Sequence, residues 1–157
     1  GVLHTAQGRL QAAEQAYQRA IHLDNRFSGA YVNLADLLSG QGQEAGAMEI
    51  LQQGLSALPN DPDLHHALGL SLVRAKRYEE ALPALAEAAK RAPENARYPY
   101  VYAIALHSTG SVEQAIGTLE EALQEHPFDR QIMAALVSYY RDTGEMGKAT
   151  EMAERLK

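Results

Sequence analysis

The chain has 157 residues, 46% hydrophobic, 22% charged and 6% aromatic, which is too apolar for a disordered tail and long enough to bury a core. Its 14 Lys+Arg against 20 Asp+Glu give a formal net charge of -6, the wrong sign for general binding to phosphate backbones or anionic membranes, and no apolar run approaches the about 20 residues of a membrane span. The absence of cysteine excludes disulfides, cysteine zinc sites, iron–sulfur clusters, a thiol nucleophile and haem attached through CxxCH. A soluble protein of the cytoplasm or periplasm is expected, with protein rather than nucleic acid as its partner and no insertion into membranes. Gly1 to Leu10 holds neither an initiator Met nor a charged stretch leading into an apolar one, so a piece of a longer protein, with no targeting signal here, is expected.

A period of 34 residues organises the chain. Alanine recurs at Ala13, Ala47, Ala81, Ala115 and Ala149, and five positions upstream stand Gly8, Gly42, Lys76, Gly110 and Gly144. In chain order, residues 1–27 read as the end of a unit, with Gly8 at the turn and Ala13, Tyr17 and Ala20 on a second helix closed at Asn25. In residues 28–61, Tyr31, Leu34, Ala35 and Leu38 recur at i, i+3, i+4 and i+7, one stripe of a first helix. Gly42 then turns the chain, Ala47, Leu51, Gly54 and Leu55 mark a second helix, and Pro59 stops it. Residues 62–95 repeat this with Leu68, Gly69 and Leu72, then Ala81, Leu85 and Ala88, then Pro93. Pro83 lies about a turn into that second helix, where a late start or slight bend is expected. In residues 96–129, Pro99 falls in the first turn of a helix, where its missing N–H costs little, and Pro127 closes the unit. Residues 130–157 form a unit short of its last few residues.

Little in this pattern carries chemistry. The six histidines make no ligand motif: His65 and His66 are adjacent and so diverge by about 100° on a helix. His4 and His65 fall in core columns, whereas His66 and His107 lie on the other side of their helices and can approach each other from neighbouring units. Two such ligands without a carboxylate or thiol are too few, so no metal is expected. No phosphate loop, GxSxG or HExxH is present, so no enzyme and no cofactor are expected. Glu79-Glu80 and Glu120-Glu121 read as solvated faces, with i,i+4 pairs such as Glu87 to Arg91. Tyr17, Tyr31, Tyr78, Tyr102 and Tyr140 sit in packing columns.

The 34-residue hairpin with Leu68, Gly69, Leu72, Tyr78, Ala81, Leu85, Ala88 and Pro93 in place resembles the tetratricopeptide repeat family, over essentially the whole chain. Lys76 for glycine, Gly54 for alanine and Tyr102 for leucine depart from that family's pattern. The resemblance implies an all-α fold, an α-α superhelix (solenoid) of stacked hairpins, with full repeats at 28–61, 62–95 and 96–129 between the partial repeat 1–27 and the nearly complete repeat 130–157. It also implies a concave wall lined by first helices. Carried over, that wall includes Asp36, Asp63, His66, Leu70, Val73, Arg74, Arg97, Tyr100, Ile104, His107, Ser138 and Arg141, an apolar middle edged by donors that suits a peptide bearing a carboxylate. The family's two-carboxylate clamp for chaperone tails is not matched: Asn33 fits one position, but Val32, Asp36, His66 and Leu70 supply none of the other donors.

The resulting expectation is a scaffold holding a protein or peptide segment in its groove. Two alternatives accompany it. One is end-to-end self-association through apolar faces of the last helix at Met146, Ala149, Met152, Ala153 and Leu156. The other is a structural arm of a bacterial redox protein, because DLHHALGLSLVR and NARYPYVYAIALHSTG resemble repeat arrays of proteins with multihaem c-type cytochrome domains; any haem would then lie elsewhere.

Overall fold

A computed structural model describes residues 2–157. Among them the chain forms nine α-helices and no strand: α1 (Val2–Leu23), α2 (Ser28–Gly40), α3 (Glu44–Ala57), α4 (Pro62–Arg74), α5 (Tyr78–Arg91), α6 (Arg97–Ser108), α7 (Val112–Glu125), α8 (Arg130–Asp142) and α9 (Met146–Arg155). Consecutive helices pack as antiparallel hairpins, α2 with α3, α4 with α5, α6 with α7 and α8 with α9, and each hairpin packs on the next.

The turn column explains itself in the backbone. Gly42, Gly110 and Gly144 have φ of 78°, 87° and 79°, and Lys76 has φ of 59°. All four turns close with the same bond pair: Gly42 N–H donates to Ser39 O and Gln43 N–H to Leu38 O, with equivalent pairs at Lys76 and Arg77, Gly110 and Ser111, and Gly144 and Glu145. This is the left-handed helix stop for which glycine carries no Cβ penalty. Gly8 departs from the expectation. It lies inside α1, which runs unbroken as a single helix of 22 residues.

Two of the opposite turns, before α4 and before α8, are closed by side-chain caps. Asp61 Oδ1 accepts from Leu64 N–H at 3.1 Å and Asp129 Oδ1 from Ile132 N–H at 2.9 Å, each satisfying an orphan amide of the following helix. Phe27 stands at the same place before α2 and supplies no cap. Pro83 produces no late start, since α5 begins at Tyr78 and continues past it. Pro99 lies in the first turn of α6, as expected.

The core runs continuously along the array. Tyr31, Leu34, Leu51 and Leu64 bury between α1 and α4; Leu72, Ala81, Leu85 and Ala105 follow; Leu119, Ile132, Leu136 and Tyr140 complete it toward α9. The departure at Gly54 has a packing cause, because a Cβ there would lie 2.9 Å from the Tyr31 ring and 3.1 Å from Leu64. Gly69 is tighter still, with Leu85 Cγ at 2.6 Å from such an atom.

Two expectations about burial need correction. His4 is exposed on α1 rather than packed in a core column. Of the five apolar residues expected free at the last helix only Met146 is strongly exposed, whereas Ala149 and Met152 are buried by α8 and Ala153 and Leu156 are partly covered. Other exposed apolar residues are Val2, Leu3, Leu10 and Leu23 of α1, Phe27 before α2, Ile104 of α6 and Phe128 before α8.

Candidate functional site

First helices meet along one side of the array, and their side chains interlock from repeat to repeat. Glu44, at the start of α3, accepts from Ser39 Oγ at 3.1 Å, Ser71 Oγ at 2.5 Å and Arg74 Nε at 2.8 Å, which ties α2, α3 and α4 together. Burial pushes its carboxyl up, but the hydrogen bonds from Ser71, Arg74 and Ser39 and the Arg74 charge outweigh this and hold it below its usual value. Arg74 also donates to Ser39 Oγ at 3.2 Å, so its guanidinium is committed to this clasp rather than offered to the wall.

Two aromatic stacks bridge successive first helices. His66 of α4 stacks on Tyr98 of α6 with ring centroids 4.2 Å apart, and His107 of α6 stacks on Tyr139 of α8 at 4.1 Å. The two histidines therefore belong to separate junctions instead of approaching each other. Tyr98 donates its hydroxyl to Asp63, and burial followed by that bond pushes the phenol well above its usual value. His107 Nε2 pairs with Asp142 at 3.0 Å. His66 is unlike its counterpart: it is 6% exposed and both ring nitrogens lack a hydrogen-bond partner. Burial, and then the charge of Arg97, lower its pKa to about 4 against a smaller opposing effect of Asp63, so the imidazole is neutral near pH 7.

Beside His66 lies an open cavity of about 410 Å³. Its walls come from α2 (Gly29, Val32, Asn33, Asp36), α4 (Asp63, His66, Ala67, Leu70) and α6 (Arg97, Tyr98), with Asn95 before α6. Five of the residues assigned to the wall by resemblance thus line one hollow: Asp36, Asp63, His66, Leu70 and Arg97. The others are spread along the array. Val73 is half-buried against the cluster around Leu72 and Leu85, and Tyr100 is half-buried against the cluster of Ile132 and Leu136. Ile104, Ser138 and Arg141 are exposed. Tyr98, Asn95 and Glu44 matter here although no wall column contains them; the available signal was the spacing of His66 to Tyr98, repeated from His107 to Tyr139. Glu120, read as solvated, accepts from the hydroxyl of buried Tyr140 at 2.6 Å, whereas Glu87 does pair with Arg91 at 2.8 Å.

Among the described residues no three His, Cys, Asp or Glu side chains are placed to hold a metal, and no helix is long and apolar enough to cross a membrane.

The same architecture recurs in known proteins. The crystal structure of MamA superposes with a TM-score of 0.81 at 18% identity, covering 97% of this chain and 89% of that one. YrrB, described as a TPR protein with an unusual peptide-binding site, superposes with a TM-score of 0.75 at 21% identity, covering 98% of this chain and 79% of that one. Both likenesses are of fold, a superhelix of stacked hairpins. One tetratricopeptide repeat model matches residues 66–149 and a second matches residues 4–70. With one of these models spanning more than half of its length, the chain belongs to the tetratricopeptide repeat family.

Proposed function

We propose that this chain is a non-catalytic scaffold that holds a segment of a partner protein along the wall formed by its first helices. The observation that carries the reading is the convergence of Val32, Asp36, Asp63, His66, Leu70 and Arg97, from three first helices, on one hollow. Tetratricopeptide repeats generally mediate protein–protein contacts, and the peptide-binding site named for YrrB supports a peptide as the ligand class. Exposed Ile104 on α6 and half-buried Leu70 and Val73 on α4 add apolar area to first helices that also carry polar groups, the composition that interface centres favour.

The test is selection of peptides from a random display library on the wild-type chain, followed by affinity measurement on variants. Leu70→Ala with Ile104→Ser, at a half-buried and an exposed position, should weaken the selected peptides about tenfold or more, whereas Glu113→Ala on α7 should leave them unchanged. Equal affinity for all three chains would remove this wall from consideration.

A further inference from the structure

Burial and polarity conflict at His66. A buried polar atom without a partner costs about 1–3 kcal/mol, and here both ring nitrogens are in that state while the ring itself is well stacked. A phenylalanine at this position would stack on Tyr98 equally well and carry no such cost. The imidazole borders the cavity between α2, α4 and α6, so the missing partner has a place to come from.

We propose that this cavity is a subsite for a cationic side chain, lysine or arginine, of the bound segment; the proposal rests on the groove reading above and names the chemistry of one contact within it. Two carboxylates, Asp36 and Asp63, face one guanidinium, Arg97, across the hollow, which leaves it net negative. Asp36 is exposed and forms no ion pair among the described residues. Asp63 accepts the Tyr98 hydroxyl on one oxygen only, so the other keeps its capacity. An anionic group would meet both carboxylates, and an apolar one would leave the carboxylates and the imidazole unpaired. A cation satisfies the carboxylates and can donate to the unprotonated nitrogen of a neutral imidazole. The ring nitrogens are covered as the cavity stands, so pairing one of them requires the ring to shift on its stack with Tyr98 as the group enters. Val32, Ala67 and Leu70 supply apolar walls for the aliphatic stem of such a side chain. The net charge of -6 on the whole chain favours the approach of a basic partner as well.

The experiment is an NMR titration of the labelled chain with Nα-acetyl-lysine amide and Nα-acetyl-arginine amide, compared with the norleucine and glutamate analogues. The expected result is saturable shifts at the Val32, His66 and Leu70 amides and at the His66 ring nitrogens, with the cationic probes only. Asp36→Asn, at an exposed position, should weaken them about fivefold. His66→Phe should raise the melting temperature yet lose the response. Absence of saturable shifts with either cation, or equal shifts with norleucine or glutamate, would overturn the subsite. If selected peptides bind the groove through Ile104 and are indifferent to Asp36→Asn, the groove reading survives and this one does not.

Discussion

Lys76 shows how a single backbone angle leaves a trace in the sequence. Four turns require a left-handed residue, three of them use glycine, and Lys76 holds φ of 59° with a full side chain. The αL conformation costs a non-glycine residue about 1–2 kcal/mol, part of which a glycine returns through the greater freedom it gives the unfolded chain. Lys76→Gly should therefore stabilise the protein by about 1 kcal/mol in urea unfolding, with no change in slope. This position was legible from sequence because the column is periodic. His66 was not. The wall columns put Asp36, Asp63 and Arg97 on its side, but its burial comes from the Tyr98 ring 32 residues further on, which no wall column contains. The linkage is correspondingly unusual. The folded pKa of about 4 lies below the ordinary value of 6.5, so the unfolded chain binds the proton more readily. Stability is complete above pH 6.5 and falls as the pH drops toward 4, by about 3 kcal/mol for this residue. Unfolding measured from pH 7 to 4 should show this loss in the wild type and a flatter profile in His66→Phe.

At the scale of helices, the Glu44 clasp decides how firmly α2, α3 and α4 hold together. Its two kinds of bond differ in value. The Arg74 contact is largely exposed, where ion pairs contribute under about 1 kcal/mol. Ser71 is fully buried, and its hydroxyl loses its acceptor if Glu44 is removed. Glu44→Ala should thus cost about 1–3 kcal/mol and Arg74→Ala clearly less, with a double-mutant cycle assigning the larger coupling to Ser71 and Glu44. Sequence reasoning located the helices well, because alternation of apolar stripes, glycine stops and prolines is local. Gly8 sits in the right column yet lies inside the unbroken helix α1, without the left-handed φ of the other turn glycines. A turn residue permits a reversal of the chain; packing on the far side is what makes it happen. At α9 the expectation of free apolar residues failed for a different reason, because Ala149 and Met152 are already covered by α8.

For the molecule as a whole, helices pack on their neighbours in sequence, with α2 against α4 in addition, so stability is distributed rather than held by one central core. Amide exchange should follow that distribution. Protection should be weakest over residues 2–12, exposed throughout on α1, and strongest in α4 and α5, which are packed from both sides; uniform protection from α1 to α9 would contradict it. The wall itself was only partly readable. Sequence placed Asp36, Asp63, His66, Leu70 and Arg97 on one side, but the withdrawal of Arg74 into the clasp and the entry of Tyr98 arise from contacts between repeats. Adjacent hairpins joined by a few such stacks and bonds, rather than by strands threaded across the fold, give the chain the character of a spring. Small changes in tilt at each junction add along its length, so a ligand wedged between α2 and α6 would alter the curvature felt by α8 without touching it.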